Sequence, residues 1–105
     1  MELTTCARPY AKAAFEHARS ASSLGEWEQM LLLGASVVHH EKVADMLSNP
    51  QLSGRQQADA FIGLCQDSLN REFENFIQVL SEHRRITLLP EIASLYRALK
   101  AEEER

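Results

Sequence analysis

The two cysteines and four histidines are the side chains best suited to nucleophilic or metal chemistry, and their spacing argues against both. His39 and His40 are adjacent, so on a helix they point about 100° apart and cannot chelate from one face. They fit a helix end better. His17 and His83 have no ligand spacing in sequence; a metal or pH effect would require their helices to cross near both. Cys65 lies on an apolar stripe and reads as a small core residue. Cys6 lies near a helix start, where a thiol pKa can fall. No motif supplies the base and oxyanion donors that a cysteine nucleophile would need. Two cysteines without a secretory context read as reduced thiols. Glu2, Glu16, Glu26 and Glu28 form no paired-carboxylate pattern, and there is no Gly-rich phosphate loop ending in Lys-Ser or Lys-Thr. Arg84-Arg85 reads as positive charge closing a helix rather than as a phosphate or lipid site.

Composition sets the outer bounds. A chain of 105 residues, 45% hydrophobic and 25% charged, reads as one ordinary globular domain. At that length folding buries roughly 60–70% of the unfolded surface, enough for one modest core. A net charge of −4 argues against a nucleic-acid module, which would present a basic face. The longest apolar run, Met30-Leu31-Leu32-Leu33, is broken by Gly34, far short of the ~18 residues that span a bilayer. Direct membrane insertion is therefore not expected. Glu2 comes early and no apolar signal segment follows it, so the chain reads as cytosolic.

The elements that must position these residues are helices, and strand signals are nearly absent. A first helix is expected from Thr4, Thr5 or Cys6 to about Ser20, because Pro9 is tolerated only in a first turn. Ser23-Leu24-Gly25-Glu26 has the capping-box pattern and opens a second helix to about His39, with Trp27 as a core anchor. Glu41 to Ser48 makes a short third helix with Val43, Met46 and Leu47 inward, stopped by Asn49-Pro50. Ser53-Gly54-Arg55-Gln56 is a second capping box, opening a fourth helix to about Ser68. A fifth runs from Arg71 to about Arg84, and Pro90 opens a sixth that reaches Glu102-Glu103-Glu104. Six helices with short polar connections give an all-α fold, a compact six-helix bundle. The glutamate run reads as a solvated helix end or linker.

The faces of the first and fifth helices hold the most information. Ala7, Ala11, Ala14, Phe15 and Ala18 cluster on one side of the first, as a core stripe. Cys6, Tyr10, Ala13 and His17 form a second stripe on its flank. On the fifth helix, Phe73, Ile77, Leu80 and the stem of Arg84 make the core stripe, while Glu72, Phe76, Val79 and His83 make the flank. Two such helices can build a groove for an amphipathic guest helix, with Val79 in its floor. Alanines let a guest backbone approach, and Tyr10 and Phe76 supply area. The same flanks could instead pack on the sixth helix or the N-terminus as ordinary core.

The segment Ala-Arg-Pro-Tyr-Ala-Lys-Ala-Ala-Phe at 7–15, Asn-Phe-Ile-Gln-Val-Leu-Ser-Glu-His-Arg-Arg-Ile at 75–86 and Leu-Leu-Pro-Glu-Ile at 88–92 stand in a telling order. Together with Trp27 and Phe61-Ile62 they resemble the N-terminal domain of the δ subunit of bacterial F-type ATP synthases, counterpart of the oligomycin-sensitivity-conferring protein. The resemblance covers essentially the whole chain, with His83 and Ile86 where the family more often carries Asn and Leu. It implies a noncatalytic stator component of the peripheral stalk, with no cofactor. It also implies a groove between the first and fifth helices that receives the N-terminal helix of an α subunit. Tyr10, Ala13, His17, Phe76, Val79 and His83 are the partner-binding residues implied. A smaller C-terminal domain, through which the family reaches the b subunit of the stalk, is absent from these residues, so 1–105 reads as a domain cut at its boundary. The implied location is peripheral, on the cytoplasmic face of the bacterial inner membrane.

Two other classes compete with this reading. An unrelated six-helix adaptor would self-associate through exposed helix faces. A small enzyme or redox sensor would pair Cys6 with a histidine and show a thiol titrating well below about 8.5.

Overall fold

The structure, a computed structural model, describes residues 2–105. Six helices are joined by short turns: α1 (Leu3–Ser20), α2 (Leu24–Val38), α3 (Glu41–Leu47), α4 (Gly54–Leu64), α5 (Arg71–Glu82) and α6 (Leu89–Glu103). A 3-10 turn over Ile86–Leu88 leads directly into α6. The described residues contain no strand, and the chain is the expected all-α bundle.

α6 is the hub, lying against both α1 and α2, while α4 packs on α5. The α1 contact works because Ala7, Ala11, Ala14 and Ala18 are all buried and let the backbones approach, with Phe15 filling the space beside them. Its ring meets the Tyr96 ring edge-on at 5.9 Å. Tyr96 is fully enclosed, and its hydroxyl donates to the Leu24 carbonyl at 2.7 Å. Burial, with a smaller contribution from the Glu28 carboxylate, pushes that phenol up to about 12. Leu31, Phe61, Phe73, Ile77, Leu80, Leu89 and Ile92 complete the core. Around it, Glu28 of α2 bridges Arg97 and Lys100 of α6 at 3.3 and 3.6 Å, a surface network whose pairs contribute at most about 1 kcal/mol each.

Several helix ends differ from expectation, each for a local reason. α1 begins at Leu3, so Pro9 is interior rather than in the first turn. The early turn is tied to α6 by Thr4 Oγ1, which donates to Glu91 Oε1 at 2.6 Å. Pro9 itself lies on the exposed face, where the Thr5 carbonyl it leaves without a donor can be hydrated. At the other end, Ser22 is left-handed (φ 55°), and Ser22 and Ser23 donate their N–H groups to Arg19 and Ala18. This is a Schellman closure. It consumes Ser23, whose φ −129°, ψ 34° is unsuited to capping α2, so the expected box with Glu26 does not form. Ser53 has an extended backbone and does form its box: Gln56 N–H donates to Ser53 Oγ at 3.0 Å, and Ser53 N–H to Gln56 Oε1 at 2.8 Å.

α4 stops at Leu64, four residues before the expected Ser68, because Gln66 and Asp67 adopt positive φ and turn Leu69 into the core. α5 stops at Glu82, with Arg84 left-handed (φ 58°) and its N–H and that of Arg85 donating to Ser81 and Leu80. Arg84 is exposed, so its stem does not extend the α5 core stripe as expected. α2 and α3 each end one residue short of expectation, at Val38 and Leu47. The exposed His39 and His40 occupy the turn between them, as a helix-end pair.

The α4–α5 junction is tight. Ser81 Oγ donates to the Gly54 carbonyl at 2.6 Å, and a Cβ on Gly54 would sit 2.8 Å from the Ser81 backbone oxygen. Gly54→Ala is therefore expected to destabilise by about 1–3 kcal/mol through overpacking against backbone, measured as a lower urea midpoint at unchanged slope.

Candidate helix-binding groove

α1 and α5 lie antiparallel, as two cross-links show. Near the N-terminal half of α1, Arg85 Nη1 donates to the Tyr10 hydroxyl at 3.1 Å, with the guanidinium 5.7 Å from the Tyr10 ring centre. Near the C-terminal half, the His17 ring meets Trp27 of α2 edge-on at 5.2 Å. Trp27 in turn meets Phe73 and Phe76 of α5 at 5.1 and 5.6 Å. Edge-to-face aromatic pairs of this kind contribute about 0.5–1.5 kcal/mol beyond burial, so one indole holds the two helices at a set spacing.

Between the helices is an open depression of about 290 Å³. Its floor is Ala14 and Trp27, both almost fully buried. Ala13 and His17 form one wall, Phe76 and Val79 the other, with Glu72 and Asn75 along the rim. Val79 is 45% exposed, unusual for an aliphatic side chain, and belongs to the wall rather than to the floor. Among the described residues Glu72 is the only carboxylate lining the depression, in the first turn of α5 where it complements the helix dipole.

Of the six residues singled out in the sequence, Ala13, His17, Phe76 and Val79 are brought together here. Tyr10 stands beside them, half-buried and tied to Arg85. His83 is exposed just past the end of α5. Seven residues of helical rise separate it from Phe76, roughly 10 Å, and the antiparallel arrangement sets it at the opposite end of the groove from His17. The histidine pair that a helix crossing would have made does not form. Among the described residues no group of three or more His, Cys, Asp or Glu is placed to hold a metal ion. Cys6 and Cys65 are thiols rather than a disulfide, and burial pushes the Cys65 thiol up, away from the reactive range.

Sequence periodicity missed two parts of this site. Trp27 reads as a core anchor, which it is, but nothing in the α2 pattern says that its ring separates α1 from α5. The tie between Tyr10 and Arg85 spans 75 residues of chain and has no local signature.

A family profile described as "ATP synthase delta (OSCP) subunit" matches residues 6–105. The ATP synthase subunit delta of Hahella chejuensis is 47% identical over 103 residues, 98% of this chain and 58% of the relative. The protein of the same name from Teredinibacter turnerae is 46% identical over 104 residues, 99% of this chain and 58% of the relative. That from Thioalkalivibrio sulfidiphilus is 45% identical over 103 residues, again 98% and 58%. The chain thus spans somewhat over half the length of these curated relatives.

Proposed function

We infer function from one premise: the chain belongs to the ATP synthase delta (OSCP) subunit family. On that premise it is a noncatalytic component of the stator, or peripheral stalk, of a proton-translocating F-type ATP synthase. Its task is mechanical. Rotation of the central shaft puts torque on the catalytic head, and the head would turn with the shaft unless it were tied to the membrane sector. This domain makes the head-side tie by receiving the N-terminal helix of an α subunit in the groove between α1 and α5. On this reading, contact with the b subunit belongs to the part of the family's length that these residues do not match. The domain works at the cytoplasmic face of the bacterial inner membrane as a peripheral part of the complex. None of its described helices is long and apolar enough to cross a membrane.

The observation that supports this reading is the aromatic-floored depression itself. Its small residues on α1 admit a guest backbone, its floor is a rigid indole, and Val79 is an apolar side chain left half in water. A helix presenting i, i+3, i+4 and i+7 apolar residues would cover it.

The test is an amide chemical-shift titration with a peptide matching an α-subunit N-terminus. Saturable shifts are expected over Tyr10 to His17 and Phe76 to Val79, and the single Trp27 should change its fluorescence. Tyr10→Ala and Val79→Ala should each weaken binding by about 1–3 kcal/mol. Val79→Ala should leave the urea midpoint nearly unchanged, because that side chain is largely exposed. A folded domain with no shifts at millimolar peptide would sink the docking function.

A further inference from the structure

We propose that the cleft between α1 and α6 is a second docking surface, shaped for a charge-polarised amphipathic helix lying parallel to α1. It does not depend on the function assigned to the α1–α5 groove. α1 and α6 run in the same direction, since Thr4 meets Glu91 at one end and Arg19 meets Glu103 at 3.5 Å at the other. The open cleft between them has a volume of about 550 Å³. Its middle is apolar. Phe15 lines it from α1, and Leu95, Ala98 and Leu99 line it from α6. Leu95 and Leu99 are only partly buried, although Ile92 and Tyr96 on the same helix are fully enclosed. The apolar face of α6 therefore runs past the part the core encloses: Leu95 and Leu99 pack at the edge of the core and stay partly open to the cleft.

The ends of the cleft differ in charge. Arg8 and Lys12, one turn apart and exposed, border one end and pair with no carboxylate among the described residues. At the other end stand Glu16 and Glu102, with Arg19 already held by Glu103 and by the Phe15 ring. A chain of net charge −4 thus keeps two unpaired cations beside this half-open apolar edge. A guest with apolar residues at helical spacing in its middle, carboxylates in its first turn and cations in its last complements all three zones. That is also the charge order a helix dipole favours within the guest. Electrostatic complementarity then sets its direction, with its N-terminal turn at Arg8 and Lys12.

A hydrocarbon-stapled peptide of about 16 residues, long enough for four turns, tests this. It carries two Glu in its first turn, two Lys in its last and Leu at i, i+3, i+4 and i+7. Saturable amide shifts are expected around Arg8, Lys12, Phe15, Leu95 and Leu99. A nitroxide on the peptide N-terminus should broaden Arg8 and Lys12 rather than Glu102. The R8E/K12E double variant, at two exposed positions that leave the fold intact by circular dichroism, should lose affinity about tenfold. Equal affinity of that variant, shifts confined to the Ala13–Val79 depression, or broadening at Glu102 would overturn the proposal. So would a sedimentation dimer that R8E/K12E abolishes, because the cleft would then belong to a second copy of the chain.

Discussion

Replacing Trp27 by alanine is expected to cost about 3–5 kcal/mol of folding stability, the range for truncating a buried large aromatic. Trp27 is 3% exposed, and its ring touches His17, Phe73 and Phe76. Two helices, α1 and α5, therefore lose a common neighbour at once, and the void cannot close unless they move together. That closure would also remove the floor of the depression. The variant should show a large drop in urea midpoint and, in the fraction that remains folded, loss of the peptide-induced shifts around Ala13 and Phe76. Stability loss below about 1 kcal/mol would mean that the indole does not bridge the helices as described, since surface substitutions typically cost no more than that.

The second large effect is expected at Gln57, one of two buried polar side chains among the described residues. Its Nε2 donates to the carbonyls of Met46, Leu47 and Asn49 at 3.1, 3.3 and 3.0 Å. Two N–H protons thus serve three acceptors, closing the C-terminal end of α3 and the turn before Pro50 from the side. Gln57→Leu keeps much of the volume but leaves the buried Leu47 carbonyl without a donor, whereas the Met46 and Asn49 carbonyls still accept the N–H groups of Asn49 and Leu52. A loss of about 1–3 kcal/mol follows from that one orphaned buried acceptor. Gln57→Glu separates hydrogen bonding from packing: nearly the same shape at neutral pH would set carboxylate oxygens against carbonyl oxygens. It should destabilise at least as much as Leu. If Gln57→Glu unfolds at the same urea concentration as the parent chain, the hydrogen-bond account of this site is wrong.

Much of the architecture is written locally. Pro90 near the start of α6, the Ser53–Gln56 box and the alanine stripe of α1 each place an element or a buried face, because the forces involved act within one or two turns of helix. The flanking stripes were legible for the same reason: helical period places Ala13, His17, Phe76 and Val79 on them, while a partner-binding role for those flanks was implied only by the family resemblance. Family membership was also readable in sequence, through short segments kept in order along the whole chain.

The failures share one cause. Ser23–Glu26 and Ser53–Gln56 have the same capping pattern, yet only the second forms, because the first serine is already spent closing α1. Pro9 sits inside a helix because Thr4 ties the preceding turn to Glu91, 87 residues away in sequence. Arg84 leaves the core stripe because α5 closes through a left-handed residue that is not glycine. Sequence by itself determined which segments are helical and which faces are apolar, since period and capping are local. Tertiary structure alone decided which apolar faces meet: an indole from α2 props α1 and α5 apart, and the Leu95–Leu99 edge of the α6 apolar face is left partly open. Those outcomes depend on contacts between residues far apart in the chain, where no local pattern carries the information.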